Sequence, residues 1–253
     1  MATDDMGIFY EQPRCDVSRA IVTGGTKGIG FAIAKAVVAE GGSAMITGRS
    51  QSGVDAAVRT LSTGARDQAS VAGAAVDVRD RSAVDALVAD TVRRFGGLDL
   101  LVNNAGVGAF ADVATMTDDS WSEIIDTNLT GVFYCTRAAI PAMKQSGGGW
   151  IVNIASLAGR NYFSGGAAYC ASKAGLVAFS ESLMQEVRFD NIRVSVIMPG
   201  SVATEFNGHK VTEDDDWKLA ADDIAEVVAD LLRHPKRSLP SKIEIRPAQP
   251  KKS

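Results

Sequence analysis

Short apolar runs rich in Val, Ile and Leu alternate along this chain with longer stretches in which apolar positions recur at helical spacing. The runs at 19–23, 44–47, 72–76, 98–102, 150–154 and 192–197 predict six strands, and Lys242–Ile245 predicts a seventh. The periodic stretches at 28–40, 52–63, 81–95, 118–145, 168–189 and 222–233 predict helices, the last of them ended by Pro235. The strand runs are apolar without regular polar alternation, the pattern of strands covered on both faces. Strict alternation of strand and helix implies right-handed crossovers and a doubly wound α/β architecture, a central parallel sheet of about seven strands with helices on both sides. No repeat or low-complexity linker interrupts the pattern, so residues 18–253 read as one domain behind a flexible N-terminal arm at 1–17.

Composition works mainly by exclusion. A chain of 253 residues with 46% hydrophobic positions can bury a large core without disulfides or a structural metal. Three widely spaced cysteines (Cys15, Cys135 and Cys170) form no pairing framework and no zinc spacing, and two histidines exclude a histidine-rich metal centre. A net charge of −4 disfavours nucleic acid, whose phosphates demand concentrated Lys and Arg. The first sixteen residues contain Asp4, Asp5 and Glu11 but no apolar targeting core, and no run reaches the ~18 apolar residues that span a bilayer. These features predict a cytoplasmic protein without nucleic-acid or membrane partners and without a metal.

Chemistry enters at the first strand-to-helix turn, Thr23-Gly24-Gly25-Thr26-Lys27-Gly28-Ile29-Gly30. Glycines let a backbone approach a ligand, and the following helix offers free N–H groups and a positive dipole end to a pyrophosphate. The spacing is G-x-x-x-G-x-G rather than G-x-G-x-x-G. Further along come Asn103-Asn104-Ala105-Gly106 after the fourth strand, Asn128 within a helix, Ser156 after the fifth strand, Tyr169 and Lys173 four residues apart, and Pro199-Gly200 after the sixth strand.

In this order the motifs resemble the short-chain dehydrogenase/reductase family, NADP-preferring and similar to 3-oxoacyl-carrier-protein reductases, over nearly all of 18–245. The resemblance implies a Rossmann-type domain that transfers hydride between NADPH and a ketone or aldehyde, or the corresponding alcohol. It places the cofactor on Gly24, Thr26, Lys27, Gly28, Ile29 and Gly30, with Asp77 and Val78 at the adenine and Asn104, Ala105 and Gly106 beneath the adenosine ribose. Pro199, Gly200, Val202 and Thr204 complete that surface. Asn103 is expected to serve the sheet instead.

Gly48 stands where NAD enzymes of the family carry an acid for the ribose hydroxyls, and Arg49 follows it. With Lys27, this favours a 2′-phosphate and hence NADP(H). Tyr169 and Lys173 share a helix face. A tyrosine of pKa ~10 needs a nearby positive charge to serve as acid near neutrality. By resemblance, Tyr169 exchanges the proton and Ser156 orients the substrate oxygen. Lys173 holds the nicotinamide ribose, and Asn128 distorts its helix and binds a relay water.

Cys135 and Cys170 read as packing, and Glu213, Asp214, Asp215 and Asp216 as a solvated loop. The segment 203–219, with Phe206 and Trp217, reads as a mobile cover over a partly apolar cleft, to which Tyr162 and Phe163 add an aromatic wall. Helices 128–145 and 168–189 are apolar beyond one stripe, which suggests a homodimer or homotetramer packed through them. Two alternatives accompany the main reading. One is a 3-oxoacyl-carrier-protein reductase docking an acidic carrier at Arg160, and the other a non-catalytic dinucleotide-sensing regulator. The ending LPSKIEIRPAQPKKS departs from the glycine-rich ending common in the family.

Overall fold

Alternate residues of each central strand enter different cores. Ala20 and Val22 of β1 (Arg19–Val22) pack on one side of the sheet, while Ile21 packs on the other. In β5 (Gly149–Ile154), Trp150, Val152 and Ile154 share the first core and Ile151 the second. This two-sided burial is why these strands lack polar alternation.

The computed structural model describes residues 19–65 and 69–250. The expected N-terminal arm, Cys15 and the lysines at 251 and 252 lie outside the described residues. The remaining strands are β2 (Ser43–Gly48), β3 (Val71–Ala75), β4 (Leu100–Asn103), β6 (Ile192–Pro199) and β7 (Lys242–Ile245). They form one parallel sheet in the order β3-β2-β1-β4-β5-β6-β7.

Helices α1 (Gly28–Ala39), α2 (Gln51–Thr63) and α7 (Ala221–Arg233) cover the first core. The second is covered by α3 (Arg81–Phe95), α5 (Gly131–Gln145) and α6 (Ala167–Val187). Caps fix several helix starts: Ser50 accepts from the Gly53 amide, and Asp80 from those of Ser82 and Ala83. The predicted helix at 118–145 divides into α4 (Asp118–Ile125), a π-helical turn at Asp126–Thr130, and α5.

The order reverses between β1 and β4, whose connections leave on opposite sides and open a crevice at the carboxyl ends of the strands. Despite its unusual ending, the chain completes the sheet. β7 pairs with β6 from Val196↔Lys242 to Pro199↔Ile245, and the Gly200 amide donates to the Ile245 carbonyl at 2.8 Å.

Candidate active site

A cavity of about 330 Å³ opens at that crevice. Its floor is the turn between β1 and α1, where Gly24 lies at φ +63°, a conformation that favours glycine. Asn104 staples the floor to β4: its Nδ2 donates to the carbonyls of Thr23 and Gly24, both at 3.0 Å. The Thr23 hydroxyl in turn accepts from the amides of Asn104 and Ala105. Lys27, the residue before α1, gives that helix no side-chain cap. The first-turn amides therefore keep their capacity for an anion, with Gly28 and Ile29 on the cavity wall.

The residues expected to hold a dinucleotide line this cavity, with one exception. Gly30 is buried behind the turn, where a Cβ would fall 2.4 Å from the Gly24 carbonyl oxygen. Its smallness serves the packing of α1 on the turn rather than contact with a ligand. At Gly48 a Cβ would fall 2.6 Å from Thr26 Cγ2, so a larger residue there requires Thr26 to shift. Both expected phosphate cations reach the cavity, and each has a carboxylate beside it: Arg49 lies 3.5 Å from Glu123, and Lys27 3.2 Å from Glu205. Arg79, absent from the sequence reading, also lines the cavity, and its guanidinium grips Asp77 at 2.6 to 3.0 Å. That hydrogen-bonded pairing holds the Asp77 carboxyl below the usual carboxylate range. Uncapped amides, a close-packed glycine turn, and cations at that turn and at the end of β2 together fit a phosphorylated dinucleotide.

At the other end, Ser156, Tyr169 and Lys173 converge. Ser156 follows β5 and accepts from the Ala158 amide at 3.1 Å, which fixes its rotamer at a short 3₁₀ turn. Lys173 is nearly fully buried; its Nζ donates to the Ile154 carbonyl at 2.9 Å and lies 5.8 Å from the centre of the Tyr169 ring. Burial pulls the Lys173 pKa down to about 8. Burial also raises the Tyr169 phenol, partly offset by its hydrogen bond with Ser156. The expected lowering of the phenol by Lys173 is therefore not found here: desolvation prevails, and Ser156 is the group that opposes it.

Asn128 does not line the cavity. Its Oδ1 accepts from the Val107 amide at 2.9 Å, and its Nδ2 donates to the Val107 carbonyl and the Ser172 hydroxyl. Ser172 donates to the Tyr169 carbonyl, so Asn128 clamps the π-turn and the loop after β4 onto the helix that carries Tyr169 and Lys173. Asn103 bridges strands through its side chain, donating to Asn153 and Thr136 within the buried layer.

The aromatic wall differs from expectation. Phe206 and the unforeseen Phe110 flank Tyr169, with Phe163 behind Phe110. Tyr162 is 71% exposed, and neither it nor Trp217 reaches the cavity lining. The acidic cluster is not wholly solvated: Asp215 is buried, accepting from the Thr212 amide and paired with His209 and Lys218. Arg160 is paired with Glu244, which also holds Arg246. Among the described residues no group of three or more His, Cys, Asp or Glu side chains is placed to hold a metal, and no helix is long and apolar enough to cross a membrane. Cys135 and Cys170 are buried free thiols, and burial pushes that of Cys135 up to about 12.

Known proteins resemble this chain in sequence and in fold. The short chain dehydrogenase family model matches residues 18–215. A 3-oxoacyl-(acyl-carrier-protein) reductase from Chlamydia trachomatis serovar D is 39% identical over 186 residues, covering 74% of each chain. Among solved structures, an alcohol dehydrogenase from Thermococcus sibiricus complexed with 5-hydroxy-NADP is 27% identical at a TM-score of 0.86, covering 94% of this chain and all of that one. A single-substitution variant of actinorhodin polyketide ketoreductase solved with NADPH is 31% identical at a TM-score of 0.81, covering 92% of this chain and 97% of that one. The family model spans well over half of the sequence, and the chain belongs to the short chain dehydrogenase family.

Proposed function

We propose that this oxidoreductase reduces a ketone or aldehyde with NADPH, and oxidises the corresponding alcohol in reverse. The observation that carries the reading is the meeting of Ser156, Tyr169 and Lys173 at one end of a cavity whose other end is an anion-ready glycine turn with Arg49 and Lys27 beside it. The solved relatives that carry NADPH or an NADP derivative support the choice of cofactor.

When bound, the nicotinamide supplies or accepts the hydride and, oxidised, brings a positive charge that favours phenolate. The chain's own groups do the rest. The Tyr169 hydroxyl holds the proton delivered to the carbonyl oxygen, and the Ser156 hydroxyl orients that oxygen. Lys173, anchored on Ile154, presents its ammonium to the ribose hydroxyls and to the phenol. Asn128 acts as a positioning residue that fixes the helix beneath both.

Tyr169→Phe tests the mechanism. It removes only the transferable proton, so NADPH affinity should stay within about twofold while turnover falls at least ~100-fold. Near-normal consumption of NADPH by that variant sinks the assignment.

The resemblance to a 3-oxoacyl-(acyl-carrier-protein) reductase keeps a carrier-bound ketone as a second reading. The pairing of Arg160 with Glu244 and the exposed carboxylates of the 203–219 segment oppose an acidic carrier. The complete Ser156, Tyr169 and Lys173 set opposes a purely sensing role. Cytoplasmic residence and assembly into a homodimer or homotetramer through α5 and α6 belong to the same proposal; the free thiols support the first and the exposed apolar surface of α5 the second.

A further inference from the structure

The carbonyl-reductase reading leaves the substituents of the carbonyl open, yet aromatic rings from three separate loops gather around Tyr169: Phe206 lines the cavity, while Phe110 packs on the Tyr169 ring and Phe163 on Phe110, both outside that lining. Phe110 follows β4, Phe163 follows β5 and Phe206 follows β6. They are 50%, 47% and 39% exposed, far more than side chains whose task is to fill a core. Phe110 meets the Tyr169 ring at 5.7 Å and 82°, Phe163 meets Phe110 at 5.6 Å and 61°, and Phe206 meets Tyr169 at 6.0 Å and 53°.

Backbone contacts hold the rings in place. The Ala111 amide donates to the Gly165 carbonyl at 2.9 Å, tying the Phe110 loop to the Phe163 loop. Phe206 lies against Gly108, where a Cβ would fall 2.8 Å from its ring. Charge in the 203–219 segment is mixed but leans acidic: Glu205 pairs with Lys27, Asp215 holds His209 and Lys218, and the exposed Lys210 stands against the exposed Glu213, Asp214 and Asp216, while Arg160 is held by Glu244.

We propose that Phe110, Phe163 and Phe206 form a substrate cage selecting neutral carbonyl compounds with an aryl or fused-ring group beside the carbonyl. This assignment rests on the carbonyl-reductase reading. Rings inclined to one another offer both edges and faces to a further ring, and each favourable aromatic pair adds about two- to tenfold beyond simple burial. A carboxylate entering the same space loses hydration, and the three rings offer no cation to meet it.

The test follows NADPH consumption by the full chain with four carbonyls: acetophenone, cyclohexyl methyl ketone, acetone and para-acetylbenzoate. The cage predicts that kcat/KM for acetophenone exceeds that for cyclohexyl methyl ketone at least ~2-fold and that for para-acetylbenzoate at least ~10-fold. Phe110→Leu and Phe206→Leu should each shrink the acetophenone-to-acetone ratio about fivefold, with NADPH affinity measured by fluorescence as the check on folding. Equal or better use of para-acetylbenzoate or cyclohexyl methyl ketone, or a ratio unmoved in NADPH-binding variants, overturns the cage alone. If wild type binds NADPH but consumes it with none of the four, the carbonyl-reductase reading falls and the cage with it.

Discussion

Lys173 carries its ammonium into a place where burial lowers its pKa from 10.5 to about 8, and that shift is a statement about stability. Between those values the unfolded chain keeps a proton that the folded chain has lost, so the contribution of Lys173 improves as pH rises from about 8 towards 10.5. Below pH 8 both states are protonated, and burying the charge costs of order 3 kcal/mol, offset in part by its bond to Ile154. The stability difference between wild type and Lys173→Met, measured by urea unfolding, should therefore move in favour of wild type across that window; a flat difference contradicts the burial of a titrating ammonium. A second prediction concerns cofactor choice. Arg49→Asp removes a charge-assisted contact of roughly 1.5–3 kcal/mol, so the preference for NADPH over NADH should fall at least ~10-fold. Because Glu123 lies 3.5 Å from Arg49 and would compete with a phosphate, Glu123→Gln should tighten NADPH binding severalfold. Dissociation constants for both cofactors decide this, and equal affinities in wild type would end the argument from Gly48 and Arg49.

The elements that matter most here are held by single polar side chains. Asp215 gathers the Thr212 amide, His209 and Lys218 and so pins the 203–219 segment that carries Glu205 and Phe206. These hydrogen bonds hold its carboxyl far below the usual range, so the stabilisation is complete above pH 3.8 and is lost only as pH falls through the lower folded value. Asp215→Asn should raise KM for the carbonyl substrate severalfold and speed proteolysis within 205–214, with NADPH affinity changed less than about twofold. An unchanged KM and cleavage rate would show that the segment is held by other contacts. Strands and helices were legible in the sequence because their apolar spacing reports burial directly: predicted and observed boundaries of β1, α1, α3 and β7 agree within a residue. The distortion of the helix at Asn128 was legible by family resemblance, but its partners were not, because Asn128 reaches Val107 and Ser172, far away in sequence. The motif-bearing residues Tyr169, Lys173, Ser156 and Asn104 were legible from their spacing and family resemblance. Phe110, Arg79, Glu123 and Glu205 were not, since each acquires its place only when loops after different strands meet at the same edge. The burial of Asp215 escaped for a related reason: a run of four acids reads as solvated until His209 and Lys218 fold back on one of them.

At the scale of the whole molecule, the second helical layer presents surface that one chain leaves uncovered. On α5, Phe133 is 42% exposed with the Arg137 guanidinium 5.0 Å from its ring centre, and Arg137 Nη2 is buried without a hydrogen-bond partner. On α6, Ala171 and Ala178 are exposed beside the partly covered Ala174 and Gly175, a surface low enough for another helix to approach closely. A large ring on one helix and a shallow face on the other are complementary under a twofold axis, where each copy offers both. The expected solution species is therefore a dimer or a multiple of it, rather than the 26.5 kDa chain. Ala178→Arg fills the shallow face and Phe133→Glu places a charge on the ring's side, so either substitution should shift sedimentation towards the single chain. Tyr169 and Lys173 lie on α6 itself, so loss of the partner should also loosen the active site: kcat should fall and thermal stability should become independent of protein concentration. Wild type that sediments as a single chain at micromolar concentration would refute the packing through α5 and α6, and would leave Phe133 to be explained by another contact.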